Sequence, residues 1–157
     1  GNFEHFEFLD TSGKPPMLEF AEKLISTIDN DGPVIVYSSY EEVALRSMSN
    51  RFPELVEEIE RIKARLFDLL PLTKKYYCHP DMRGSWSIKS VLPTIAPELD
   101  YSDLEVQGGQ AAQQKFLKMI TPGINEDDLK QGRTALLKYC ERDTLAMVKL
   151  AQFLGRT

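Results

Sequence analysis

A run of helix breakers, Asp29-Asn30-Asp31-Gly32-Pro33, leads straight into Val34-Ile35-Val36-Tyr37, and this junction constrains the fold more than any other stretch of the chain. Ahead of the breakers, Leu18, Ala21, Leu24, Ile25 and Ile28 recur at helical spacing behind Pro15-Pro16, which predicts an amphipathic helix that the breakers stop. The β-branched run behind them, bounded by turn signals, has the pattern of a strand buried on both faces of a parallel or mixed sheet. Helix, tight turn and buried strand in succession place the chain in the α/β class. With 157 residues, 42% of them apolar, it can bury a core of its own, and we expect a single domain over residues 3–156.

Charge narrows the partners. Lys and Arg number 19 against 24 Asp and Glu, a net of −5, which excludes nucleic-acid binding by bulk charge and leaves a local basic patch as the only route. Cys78 and Cys140 lie far apart with no C-x-x-C pair, the usage of free thiols in a reducing, cytoplasmic compartment. No apolar stretch is long enough to span a membrane or act as a signal sequence. The first residue is Gly1 and not Met, so we expect either a processed start or a piece of a longer protein.

Local patterns give the remaining elements. His5-Phe6-Glu7-Phe8-Leu9 alternates like a half-exposed strand. Ser38 or Ser39, three residues ahead of Glu41 or Glu42, predicts a capping box at the start of a helix. Pro53 opens another helix, with Leu55, Ile59, Ile62 and Leu66 on one face. Gly84-Ser85 predicts the cap of a short helix ended by Pro93, and residues 97–109 read as connection. Two further helices follow, over residues 110–120 and 126–154, the second with Leu137, Cys140, Thr144 and Ala151 on its buried stripe.

Few residues are suited to chemistry. Tyr139 and Asp143, four apart on the last helix, share a face; either they form a site or they are a half-buried aromatic and a solvated acid. Glu41 stands just past the C-terminal end of the buried strand, where open α/β sheets place ligands; either it helps cap the helix or it projects into a site. Between Pro71 and Pro93, Lys74, Lys75, Arg83 and Lys89 outnumber the one acid, Asp81, and Trp86 lies among them. That stretch is either a phosphate-pairing and base-stacking surface or a solvated loop with Trp86 in the core. Cys78-His79 offers too few ligands for zinc, and no phosphate-binding glycine loop or nucleophile motif is present.

The segments 34–41, 65–70, 84–93 and 139–148, in that order, resemble an uncharacterised bacterial family of domains of unknown function. That family in turn resembles the ribonuclease H-like (DnaQ-like) 3′–5′ exonucleases of the DEDD tyrosine subtype. The resemblance implies a five-stranded mixed sheet flanked by helices, and acids from three separated motifs that hold Mg or Mn. It implies that Asp143 and Glu41 are metal ligands and that Tyr139 orients the attacking water, so that Tyr139, Asp143 and Glu41 form the catalytic set. It implies that Lys74, Lys75, Arg83, Lys89 and Trp86 lie along the path of a single-stranded DNA or RNA end.

One feature of such exonucleases is missing. Their first strand carries D-x-E, whereas the only D-x-E here, Asp103-Leu104-Glu105, follows the second motif in a connecting region and is a coincidence of sequence. We therefore expect a ribonuclease H-like domain truncated at its N-terminus, with no metal held tightly by this chain and no activity from the chain alone. The alternative keeps the fold without catalysis, as a nucleic-acid-binding or protein-interaction module. A missing strand also leaves an unpaired sheet edge, through which the fragment can form a homodimer.

Overall fold

The computed structural model describes residues 3–155; Arg156, the last residue of the expected domain, lies outside them. The junction at residues 29–37 forms as the sequence requires. Helix α1 (Met17–Thr27) ends at the breakers and strand β1 (Val34–Val36) begins directly after them. β1 pairs in parallel with β2 (Leu66–Asp68), Val34 opposite Leu66 and Val36 opposite Asp68. A parallel pair needs a crossover, supplied here by α2 (Tyr40–Arg51) and α3 (Val56–Lys63). Helix α4 (Leu69–Tyr76) follows β2 without a loop, and α5 (Ile88–Ile95), α6 (Gly109–Met119) and α7 (Glu126–Leu154) complete the order. β1 and β2 are the only strands among the described residues, and none of the described helices is long and apolar enough to cross a membrane.

β2 overturns one expectation, because Leu66 belongs to a strand and not to the face of the preceding helix. Arg65 explains the switch. Its guanidinium donates to the carbonyls of Asp29, Asp31 and Gly32 at 2.5, 2.8 and 2.7 Å, and its own carbonyl accepts the Val34 N–H at 2.9 Å. The breaker turn is thereby fastened to the start of β2, which fixes the register of both strands.

Other local expectations give way to tertiary contacts. Residues 5–9 form no strand: the Phe8 ring meets Phe20 edge-on at 5.6 Å and Arg133 donates to the Leu9 carbonyl at 2.7 Å, so side chains tie the segment down where pairing was expected. The capping box is absent, because Ser39 makes no side-chain cap and Ser38, at φ +87°, gives its N–H to Asp68. Helix α5 starts at Ser87, whose hydroxyl accepts the Ser90 N–H, and Pro93 lies inside it; in a two-turn helix the proline forfeits a single bond. The buried line of α7 runs through Gly132, Ala135, Leu136, Tyr139, Ala146 and Leu150, while Cys140 is exposed. Small residues turn inward because α6 packs closely there: a Cβ on Gly132 would stand 2.7 Å from Met119 Sδ.

Apolar burial divides into three clusters. Ala21, Leu45, Met48, Ile59 and Ile62 join the first three helices. Leu69, Met82, Val91 and Leu150 join α4, α5 and α7, with Ile35, Tyr37 and Trp86 against them. Leu92, Tyr101, Leu104, Val106, Met119 and Tyr139 join α5, the 97–108 connection, α6 and α7. Adjacent residues Val91 and Leu92, each fully buried, therefore anchor α5 into two clusters at once.

Candidate functional site

Helix α7 is started by Asn125, whose side chain accepts the Asp128 N–H at 2.8 Å, with three acids in the first turn against the positive helix end. Thirteen and seventeen residues beyond Glu126, Tyr139 and Asp143 project from the face that packs on α5 and on the connection. Asp143 Oδ1 accepts the Tyr101 hydroxyl at 2.7 Å. Lys89 Nζ donates to the Tyr139 hydroxyl at 3.0 Å and to the Gln107 carbonyl at 3.1 Å. The same ammonium lies 4.7 Å from the centre of the Tyr139 ring and 5.2 Å from that of Tyr101, a cation between two π faces.

Both phenols are held protonated. Burial raises the Tyr139 pKa above its usual range, and the hydrogen bond and charge of Asp143 add to the effect. Burial, then Asp143, does the same to Tyr101. The connection is pinned over this cluster by Arg142, which forks to Asp103 at 3.1 and 3.0 Å and also donates to the Asp100 carbonyl, and by the Lys115–Glu105 pair. The D-x-E acids therefore hold the connection in place through ion pairs.

A second group forms at the C-terminal ends of the strands. Asp68 caps α4, its Oδ1 accepting the N–H groups of Leu70 and Ser38 at 2.8 Å each. The Ser38 bond holds a left-handed backbone that serine rarely adopts, so Asp68 stabilises the loop that leads to Glu41. Tyr37, on the same loop, donates to the Trp86 carbonyl at 2.6 Å, and its pKa is pushed up to about 12, mainly by burial. Glu41 Oε2 is buried with no hydrogen-bond partner, and burial followed by the nearby Asp68 charge raises its pKa. Sequence reasoning passed over Asp68; its signal was an aspartate at the end of a short apolar run, just before a helix that opens with Leu-Leu-Pro.

Glu41 gives a pH-dependent expectation. Its folded pKa lies above its unfolded one, so its contribution to stability is greatest below the ordinary value of 4.5 and is lost as pH rises through the folded value. Glu41→Gln is expected to match the parent chain in acid and to melt at a higher temperature at neutral pH, as measured by thermal denaturation across pH. Equal melting temperatures at neutral pH would show that the carboxylate is well solvated.

The basic segment splits between two hollows. Lys74 and Trp86 line one of about 490 Å³ with Tyr37 and Ser38. Arg83 and Lys89 line another of about 430 Å³. Lys75 lies 4.8 Å over the ring of its neighbour Tyr76. The structure thus gathers Lys89, Tyr139 and Asp143 into one network and sets Glu41 beside Asp68. Among the described residues no hydrogen bond or ion pair joins Glu41 to Asp143. Magnesium or manganese needs several convergent oxygens, and no three His, Cys, Asp or Glu side chains among the described residues are grouped to hold a metal ion. Asp143 is engaged by Tyr101, and among the described residues only Glu41 offers an unpartnered buried side-chain oxygen. The acids of this chain alone do not fit such an ion.

No solved structure matches the chain. It is 29% identical over 133 residues to "Uncharacterized protein MG366" of Mycoplasma genitalium, covering 77% of this chain and 20% of that protein. It is 29% identical over 140 residues to "Uncharacterized protein UU173" of Ureaplasma parvum, covering 78% and 20%. The "Uncharacterized protein MG366 homolog" of Mycoplasma pneumoniae matches at 29% over 133 residues, covering 77% and 20%. The chain spans about a fifth of the length of these curated relatives. Residues 1–87, more than half of the chain and including Glu41, Asp68, Lys74, Arg83 and Trp86, match one family model, and on that match the chain belongs to the family described as "Domain of unknown function (DUF2779)".

Proposed function

We propose that this chain is part of a ribonuclease H-like domain that, within a longer protein of the family, hydrolyses nucleic acid from a 3′ end. The observation that carries the reading is the buried Tyr139 phenol, which accepts from the Lys89 ammonium and lies one turn along α7 from the Asp143 carboxylate. Phosphodiester hydrolysis needs a water oxygen aimed at phosphorus and positive charge near the phosphate oxygens. The Tyr139 hydroxyl oxygen can accept a hydrogen bond from that water and so orient it, and Lys89 supplies charge next to it. The water oxygen forms the new P–O bond, and the 3′ oxygen of the preceding nucleotide leaves with a proton.

Metal chemistry of the kind seen in the resembling exonucleases would need acids beyond those this chain brings together, and the chain alone is expected to be inactive. The proposed five-stranded mixed sheet would use the unpaired strand edges for the missing strands. The experiment is to incubate a full-length family protein carrying this sequence with end-labelled single-stranded DNA and RNA in magnesium or manganese. Stepwise release of nucleotides from the 3′ end is expected. Intact strands under every condition would remove the nuclease reading.

A second reading, a non-catalytic nucleic-acid-binding or protein-interaction module, is favoured by the Tyr101–Asp143 hydrogen bond, which occupies the acid that catalysis would use. It predicts strand binding without hydrolysis.

A further inference from the structure

The hollow beside Lys89 has a chemistry that the Tyr139 network does not use. An ammonium carries three donors, and Lys89 spends two, on Tyr139 and on the Gln107 carbonyl. No carboxylate pairs with it among the described residues, although the charge is half-buried, a situation that favours an anionic neighbour. Lys89 also lines the 430 Å³ hollow with Arg83, Ser85 and Ser90. Arg83 is exposed and forms no ion pair among the described residues. The hydroxyls of Ser85, Ser87 and Ser90 lie within 3.4, 2.9 and 3.0 Å of one another, so their protons are free to turn toward an acceptor without stranding a buried group. The one acid on the rim, Asp81, points out to solvent with its side chain 83% exposed and stands 3.7 Å from His79.

We propose that this hollow is a phosphate subsite: Arg83, the third donor of Lys89 and the Ser85 and Ser90 hydroxyls grip a backbone phosphate of a single-stranded nucleic acid, one step along the strand from Tyr139. The inference rests on the nuclease reading only for the direction in which the strand runs. A lysine shared between the subsite and the Tyr139 network couples grip to chemistry, since the ammonium that holds the phosphate also holds the phenol. Free phosphate and mononucleotides offer the same oxygens, so the test includes them.

The test measures binding of fluorescent oligothymidylate to the 157-residue chain by anisotropy over a range of salt. Arg83 has a left-handed backbone, φ +51°, so the charge is best removed by Arg83→Asn, a residue that tolerates that conformation. Arg83→Asn is expected to weaken binding severalfold and to lower the slope of log affinity against log salt by about 0.7, the loss of one phosphate contact; Arg83→Lys should restore most of that slope, and Ser90→Ala should weaken binding without altering it. An unchanged slope in Arg83→Asn would overturn the proposal. Displacement of the strand by inorganic phosphate or a nucleoside monophosphate at equal phosphate concentration would also overturn it, in favour of a small-anion site. The slope change without hydrolysis in the full-length protein would keep the subsite and remove the nuclease reading; hydrolysis with no slope change would do the reverse.

Discussion

Changing Asp143 to asparagine in the full-length protein is expected to lower 3′-end hydrolysis by about 10²-fold while leaving strand binding within a few-fold of the parent, the scale of loss when a reacting group is misplaced by about 1 Å. Asparagine keeps an oxygen for the Tyr101 hydroxyl, which now donates to Asp143 at 2.7 Å, so the fold of the connection should survive. What goes is the negative charge beside the Tyr139 phenol, one turn away on α7, that helps to orient it. The loss should therefore appear in kcat, with KM little changed. Tyr139→Phe should give a loss of similar size, and the double variant should be no worse than either single one, because the two residues act as a unit. Full activity in Asp143→Asn would remove Tyr139 and Asp143 from the mechanism.

Leu150→Ala is expected to destabilise the chain by about 2–5 kcal/mol, the range for emptying a sealed apolar site. Leu150 has no exposed surface and packs with Leu69, Met82 and Val91. It fastens the C-terminal half of α7 to α4 and α5, and α7 carries both Tyr139 and Asp143 while α5 carries Lys89. Urea unfolding should show a lower midpoint with an unchanged slope. A cost under about 1 kcal/mol would mean that the site collapses around the cavity and that α7 is held elsewhere.

Where the sequence carried its own punctuation, it was legible. The breakers at residues 29–33 marked the end of α1 and the start of β1, and the acids at 126–128 marked the start of α7. Where tertiary contacts decided the outcome, local pattern misled. Leu66 kept helical spacing with Ile59 and Ile62, and only Arg65, clamped to a turn more than thirty residues away, shows why the chain switches to a strand there. The buried line of α7 was misplaced because small residues, Gly132, Ala135 and Ala146, face inward, at Gly132 because Met119 of α6 packs against it, which hydrophobic pattern does not encode.

The site divides in the same way. Tyr139 and Asp143 were visible as an i, i+4 pair on one helix, and Lys89 as part of a basic segment. That Lys89 donates to Tyr139, fifty residues away, depends on α5 being anchored in two clusters at once. Asp68 carried the mark of a helix cap and Tyr101 none, and neither points to a site until their partners, Ser38 and Asp143, are known.

The network of Lys89, Tyr139 and Asp143 is tested most directly by titrating the phenol itself. With six tyrosines in the chain, Tyr139 is assigned by the difference between the parent and Tyr139→Phe in phenolate absorbance. The expected result is a Tyr139 phenol that stays protonated well above the ordinary range near 10 and moves back toward it in Asp143→Asn. A phenol that titrates in the ordinary range in the parent chain, unmoved by Asp143→Asn, would contradict the dry, carboxylate-held geometry on which the functional reading depends.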